Sequence, residues 1–304
     1  MNIYTNVPTK NKSKRPGLYI SLVLALTLFA ETPFAQTKDY LDAGEIGGIT
    51  VATGALYALG LRYVNRKSTS KPPRWDNPPG IDQKLLRFLG GKCTSVKTNF
   101  LDNNTGSAAT PIFGAVGLIY TNLAWPEDKD GKDAVQDLFL FTAGVVATKG
   151  ITDIVKGLSR RERPLPCLEA EIAQLRTDID LGYDHQSFFS GHTSSAFFSM
   201  TYLNKRIRST MRREMSVDEY RRYRWVSPAI LYSWSAVVGW SRIQAYKHFP
   251  SDVAVGAIAG YLLGELFFSF NSAVNNSPGE TFPNASPVPY REPRPTLLSV
   301  TISF

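Results

Sequence analysis

The chain has little of what holds small scaffolds together through covalent links or metal. Among its 304 residues are two cysteines, Cys93 and Cys167, and three histidines, His185, His192 and His248. Two thiols cannot build a disulfide framework or, alone, a cysteine-based zinc site. Charge is also sparse: Asp, Glu, Lys and Arg make up 20% of the residues against 12% aromatic, a balance that excludes a disordered chain. Glycine (23) and proline (19) are near average, so collagen-like and low-complexity readings fail. The basic excess is small, 34 Lys and Arg against 26 Asp and Glu, or +8 formally. It suits an anionic ligand or a membrane surface. With no clustered basic and aromatic module, it gives no reason to expect nucleic acid. Hydrophobic residues are plentiful, 43% of the chain, enough at this length for a sizeable buried core.

Residues 1–16 are polar and carry Lys10, Lys12, Lys14 and Arg15 without an acid. Residues 17–30 (GLYISLVLALTLFA) are fourteen uncharged, mostly apolar residues, and Glu31 ends the run. A basic start, a short apolar core and a small residue near Ala35 form the secretory pattern, so residues 1–35 read as a signal peptide. The run is shorter than the roughly 20 apolar residues of a membrane-spanning helix. Export would put the body in an oxidising compartment. There Cys93 and Cys167, in loop-like contexts (GGKCTS and RPLPCLE), could pair as a disulfide.

Six apolar stretches follow, at 46–61, 110–125, 138–148 with a continuation to 155, 193–203, 226–240 and 253–270. None alternates cleanly, and their length and Ala, Leu, Val, Gly and Phe content predict buried helices. Residues 36–275 therefore read as one all-α bundle of about six core helices. After Asn271 the chain turns polar and Pro-rich. Residues 276–304 form a tail whose end, 297–304 (LLSVTISF), has the make-up of one short strand.

Lys149 and Asp153 interrupt the third stretch and Glu265 the sixth, and the mean hydropathy is −0.15. These features favour an exported helical domain, soluble or membrane-peripheral. The segment 206–224 points the other way: seven arginines against three acids resemble a cytosolic loop between spans. Six spans and a translocating signal exclude one another if the site is external, because three crossings from an external residue 45 leave Lys156 inside.

Three short segments carry the chemistry. The first runs from Lys156 to Arg163-Pro164, the second is Ser187-Phe-Phe-Ser190-Gly191-His192, and the third is Ser241-Arg242, then His248, then Asp252. Lys156 and Arg163 are seven apart and share a face if one helix persists to Pro164. A lysine point charge and an arginine fork together can clamp a phosphoryl group. Ser190 precedes a helix-like run and makes an N-cap, so the amides near Gly191 would face a bound anion. Pro250 suits a first helical turn. Asp252, four residues beyond His248, can accept from one imidazole nitrogen and leave the other free to attack. Two of the three histidines fall in these segments; His185 fits none of them and reads as a loop residue.

Together the segments resemble the type 2 phosphatidic acid phosphatase and vanadium haloperoxidase superfamily. Its pattern is Lys-x6-Arg-Pro, Pro-Ser-Gly-His and Ser-Arg-x5-His-x3-Asp. The likeness covers residues 156–252, with Phe189 where the family usually has Pro. The resemblance implies a helical bundle and phosphate-ester hydrolysis without metal or other cofactor. By position it implies His248 as the nucleophile that forms a phosphohistidine, Asp252 as its orienter, and His192 as the acid that protonates the leaving oxygen and then activates water. Lys156, Arg163, Arg242, Ser190 and Gly191 would hold the phosphoryl oxygens.

The leading expectation is an extracytoplasmic phosphatase acting on a lipid phosphate, of the phosphatidic acid, phosphatidylglycerol phosphate or isoprenyl diphosphate class. The alternatives are an acid phosphatase for soluble monoesters, a vanadate-dependent haloperoxidase, and a non-catalytic anion-binding module. Contact of the Arg-rich segment with anionic head groups is a further expectation.

Overall fold

The computed structural model describes residues 40–65, 80–90, 104–126, 131–164 and 185–274. The expected signal at 1–35, both cysteines with their expected disulfide, and the tail at 276–304 with its expected strand lie outside the described residues.

The described residues form eight helices and no β-strand: α1 (Ala43–Asn65), α2 (Gly80–Leu89), α3 (Asn104–Ala124), α4 (Lys132–Ser159), α5 (Gly191–Glu214), α6 (Val217–Tyr223), α7 (Val226–Gln244) and α8 (Pro250–Val274). The all-α expectation holds among the described residues, and each of the six apolar stretches falls on a longer helix, the second running one residue past the end of α3. Periodicity marks only the apolar middle, whereas polar end turns continue the helix without it. The basic segment is broken by Ser216, which accepts from the Glu219 amide while Glu219 accepts from the Ser216 amide, a capping box that starts α6 anew.

The long helices alternate in direction. Leu41 donates its amide to Gln136 Oε1 (2.8 Å), and Gly60 meets Gly150, so α1 runs parallel to α4. A Cβ on Gly60 would stand 2.7 Å from the Gly150 carbonyl oxygen; only glycine allows this crossing. Asn122 donates to Asp137 (3.1 Å), which sets α3 antiparallel to α4. On α8, Gly256 faces the Ser190 carbonyl and Gly264 faces Thr201, so α5 and α8 run side by side in the same sense.

Leu118, Leu140, Phe141, Phe198, Tyr202 and Phe267 form the buried centre. Phe141 meets Tyr202 edge-on at 5.6 Å and Phe198 meets Phe267 edge-on at 6.0 Å, geometries favoured by the ring quadrupole. One end of the bundle is held by a buried polar network. Asp137 pairs with Arg206 (3.0 Å) and accepts from Asn122 and Asn271, while Gln136 donates to Asn271 (2.8 Å). Such a charge is tolerated in a core only because it is paired and hydrogen-bonded.

Outward faces are strongly apolar. Val51, Phe113, Val116, Leu123, Ile230 and Ile258 are all more than half exposed. Helices Ala43–Val64, Lys132–Ser159 and Pro250–Asn271 are long and apolar enough to cross a membrane by length and composition. Apolar faces of this extent mark membrane association.

Candidate active site

The C-terminal ends of α4 and α7 and the N-terminal ends of α5 and α8 meet at the end of the bundle away from Asp137 and Arg206. This convergence gathers the three charged segments, which are far apart along the chain.

Lys156 lies on the last turn of α4. The helix does not persist to Arg163 as the spacing suggested. Arg160 adopts the left-handed conformation (φ 45°, ψ 45°) and its amide closes onto the Lys156 carbonyl at 3.0 Å. The chain then leaves the helix axis, and Ser187 donates its amide to the Arg161 carbonyl (3.0 Å). The detour lets Arg163, buried, donate to the carbonyls of Lys247 (3.1 Å) and Gln186 (3.4 Å). One guanidinium thus ties the first segment to the loops of the second and third.

Ser190 is the N-cap of α5, as expected: its hydroxyl accepts from the Thr193 amide (3.4 Å) and its own amide donates to the Asp252 carbonyl (3.1 Å). The ammonium of Lys156 stands 3.5 Å from where a Cβ on Gly191 would be, directly at this helix start. Cation and helix N-terminus therefore converge on one spot, an arrangement that favours an anion. Phe189, where the resembling family has Pro, is buried against Val155 and Phe188.

His192 follows on the first turn of α5, and its Nε2 is buried without a hydrogen-bond partner. The charges of Arg242, Lys156 and Arg163 and the ring of His248 surround it. His185 sits in the turn before the second segment, half-buried, its Nδ1 without a hydrogen-bond partner.

His248 is 1% exposed, in the loop between α7 and α8. Its Nδ1 lies 2.7 Å from the Ser187 carbonyl oxygen and 3.8 Å from Asp252 Oδ2. A carbonyl can only accept, so Nδ1 carries the proton and Nε2 keeps the lone pair. Burial foremost, then Arg163, Lys156 and Arg242, hold the imidazole well below its ordinary pKa. These surroundings favour the neutral form of the ring. Arg242, 1% exposed on the last turn of α7, is the third cation of the group.

Asp252 is fully buried and accepts from Ser187 Oγ (2.5 Å), the Phe249 amide (2.9 Å) and Arg161 Nη1 (2.5 Å). It holds the Ser187 hydroxyl and the Phe249 amide, so its hold on the ring runs through Ser187, whose carbonyl faces Nδ1. Three residues here were missed by sequence reasoning: Ser187 as the direct acceptor, Arg161, and Asp82 on α2. Arg161 is one of three arginines in a row of four residues, and only burial separates it from its neighbours. Asp82 sits in a helix too short to register among the apolar stretches.

Comparison with known proteins bears on the same region. The model of the PAP2 superfamily matches residues 137–275. Phospholipid phosphatase 2 of Homo sapiens is 27% identical over 146 residues, covering 42% of this chain and 48% of that protein. The chain thus matches about half the length of this curated relative. No solved structure matches the chain significantly. The match to the PAP2 superfamily model over residues 137–275 takes in all three charged segments and the four helix ends that bring them together.

Proposed function

We propose that the chain is a phosphatase that hydrolyses a lipid phosphate ester through a phosphohistidine on His248. His248 Nε2 attacks phosphorus and the phosphorus–oxygen ester bond breaks. His192, whose basicity burial and the surrounding cations depress, takes up a proton as the phosphate dianion offsets those charges and delivers it to the departing alkoxide. The same ring then takes a proton from water, whose oxygen displaces His248 from phosphorus and releases inorganic phosphate. Lys156, Arg163 and Arg242, with the α5 N-terminus at Ser190 and Gly191, neutralise the equatorial oxygens, so positioning and electrostatics supply most of the acceleration. No metal enters this scheme. The observation that supports it most is the buried ring of His248, with Nδ1 2.7 Å from the Ser187 carbonyl oxygen and Arg163, Lys156 and Arg242 close enough to depress its basicity.

The lipid character of the substrate is supported by the apolar outer faces and by the name of the human relative. We further place the catalytic end on the extracytoplasmic side. The Arg-rich segment 206–224 leaves the bundle at the opposite end, where the positive-inside rule puts the cytosol. Leu41 then starts on the cytosolic side, which a translocating signal at residues 1–35 would not allow. Labelling single cysteines placed at Arg224 and at Gln244 with an impermeant reagent decides the side; labelling at Arg224 alone reverses it.

The activity is tested by assaying the full chain on phosphatidic acid in mixed micelles and on p-nitrophenyl phosphate, with chelator present. Chelator-resistant release of phosphate, blocked by orthovanadate and lost in His248→Ala, is expected. A strict need for a divalent ion, or turnover by His248→Ala, refutes the scheme. Preference for the soluble ester refutes the lipid assignment.

A further inference from the structure

The most elaborate buried contact at the catalytic end involves an element outside the region matched to the family. Helix α2 lies across the starts of α8 and the end of α7, with Leu86 packed on Ile243 and Phe249. Its inward face carries Asp82, 2% exposed. Asp82 Oδ2 accepts from Arg161 Nη2 (2.7 Å) and from Ser251 Oγ (2.6 Å), while Oδ1 accepts the Ser251 amide (3.0 Å). Arg161, 1% exposed, spends its other terminal nitrogen on Asp252 Oδ1 (2.5 Å) and Ser251 Oγ (2.7 Å). Its guanidinium carbon stands 4.4 Å from the centroid of the Phe249 ring, the residue after His248.

A carboxylate sequestered at this depth is stable only with its partners in place. Here the partners are Arg161, which also holds Asp252, and Ser251, the residue before it. We propose that Asp82 is a positioning residue for the hydrolysis: through Arg161 and Ser251 it fixes Asp252 and the first turn of α8, and through them the ring of His248. The inference rests on the phosphatase reading for its catalytic consequence. The chain of contacts explains why Asp252 can stand 3.8 Å from the imidazole and still govern it. With Asp82 present, Arg161 is shared between two carboxylates and Asp252 stays turned to Ser187. Without it, Arg161 has one carboxylate left, draws Asp252 toward itself, and loosens the Ser187 carbonyl that holds Nδ1. Supporting residues of this kind govern turnover rather than substrate affinity, because the phosphate cations are untouched.

The test compares full-length wild type, Asp82→Asn, Ser251→Ala and the exposed neighbour Gln83→Ala in detergent micelles. The measurements are kcat and KM on p-nitrophenyl phosphate and hydrogen exchange of the amides of Phe249, Ser251 and Asp252. Asp82→Asn is expected to lower kcat about 10- to 100-fold with KM within about twofold, and to speed exchange at these amides. Ser251→Ala should do the same more weakly, and Gln83→Ala should do neither. Unchanged kcat in Asp82→Asn, or a loss carried wholly by KM, overturns the inference. If Asp82→Asn does not fold, Ser251→Ala decides: no fall in kcat overturns it. A wild type without turnover sinks the phosphatase reading instead, and the positioning role is then judged by exchange, with unchanged protection of these amides in Asp82→Asn overturning it.

Discussion

The crossing of α5 and α8 offers a sharp test of how helix packing builds the catalytic end. A Cβ on Gly256 would lie 2.7 Å from the carbonyl oxygen of Ser190 and 3.4 Å from Thr193 Cβ. The first contact is with the backbone of the α5 N-cap, so Gly256→Ala forces that N-cap to retreat by roughly 0.3–0.7 Å before contacts become ordinary. Two effects oppose. Alanine gains about 1 kcal/mol of helix propensity over glycine. Overpacking against a backbone atom costs about 1–3 kcal/mol. The clash prevails, with a net loss of up to about 2 kcal/mol, or roughly 4–8 °C in Tm for a unit of this size. Gly54→Ala on α1 is the control, since its Cβ would meet nothing within 4 Å; it should raise Tm. Because Ser190, Gly191 and His192 move with the N-cap, Gly256→Ala should also lower kcat by about 10- to 100-fold on phosphatidic acid in mixed micelles. Should Gly256→Ala match Gly54→Ala in Tm and keep wild-type turnover, the close approach of these helices is not what positions the site.

Other consequences can be checked in parallel. The depressed basicity of His248 makes the unfolded chain bind the proton first as pH falls through about 6.5, so stability is full above that value and declines below it by up to about 1.4 kcal/mol per pH unit. Thermal melts between pH 5 and 8 should show this decline in wild type and a shallower one in His248→Asn; parallel curves would contradict it. At the far end, Arg206→Met leaves Asp137 buried without its cation and should cost about 3–5 kcal/mol in denaturant unfolding, with kcat unchanged. A selective loss of kcat there would mean the two ends are coupled. The apolar outer faces predict that alkaline carbonate leaves the protein in the membrane pellet, and its release would refute membrane embedding.

Much of the bundle was legible because burial leaves a mark on composition. The six apolar stretches became α1, α3, α4, α5, α7 and α8, and Ser190 and Pro250 began α5 and α8 as their side-chain chemistry suggested. Helix α2 was not legible as part of the core. Its ten residues are too few to register as an apolar stretch, and what it adds to the site is one carboxylate. The expected helical face shared by Lys156 and Arg163 failed for a local reason. Arg160 takes a left-handed conformation that spacing cannot reveal.

By itself, the sequence determined which groups could handle a phosphoryl anion: three cations, two imidazoles and a carboxylate in a fixed order, each at the edge of an apolar run. Tertiary structure alone decided their mutual service. It gave His248 the Ser187 carbonyl as its acceptor and set Asp252 one step behind. It also set Arg161, just past the end of α4, against that carboxylate and brought Asp82 from the distant α2 against Arg161. Residue type fixes what a side chain can donate or accept. Which partner it meets depends on backbone turns and helix crossings, which are set by contacts between segments far apart in the chain.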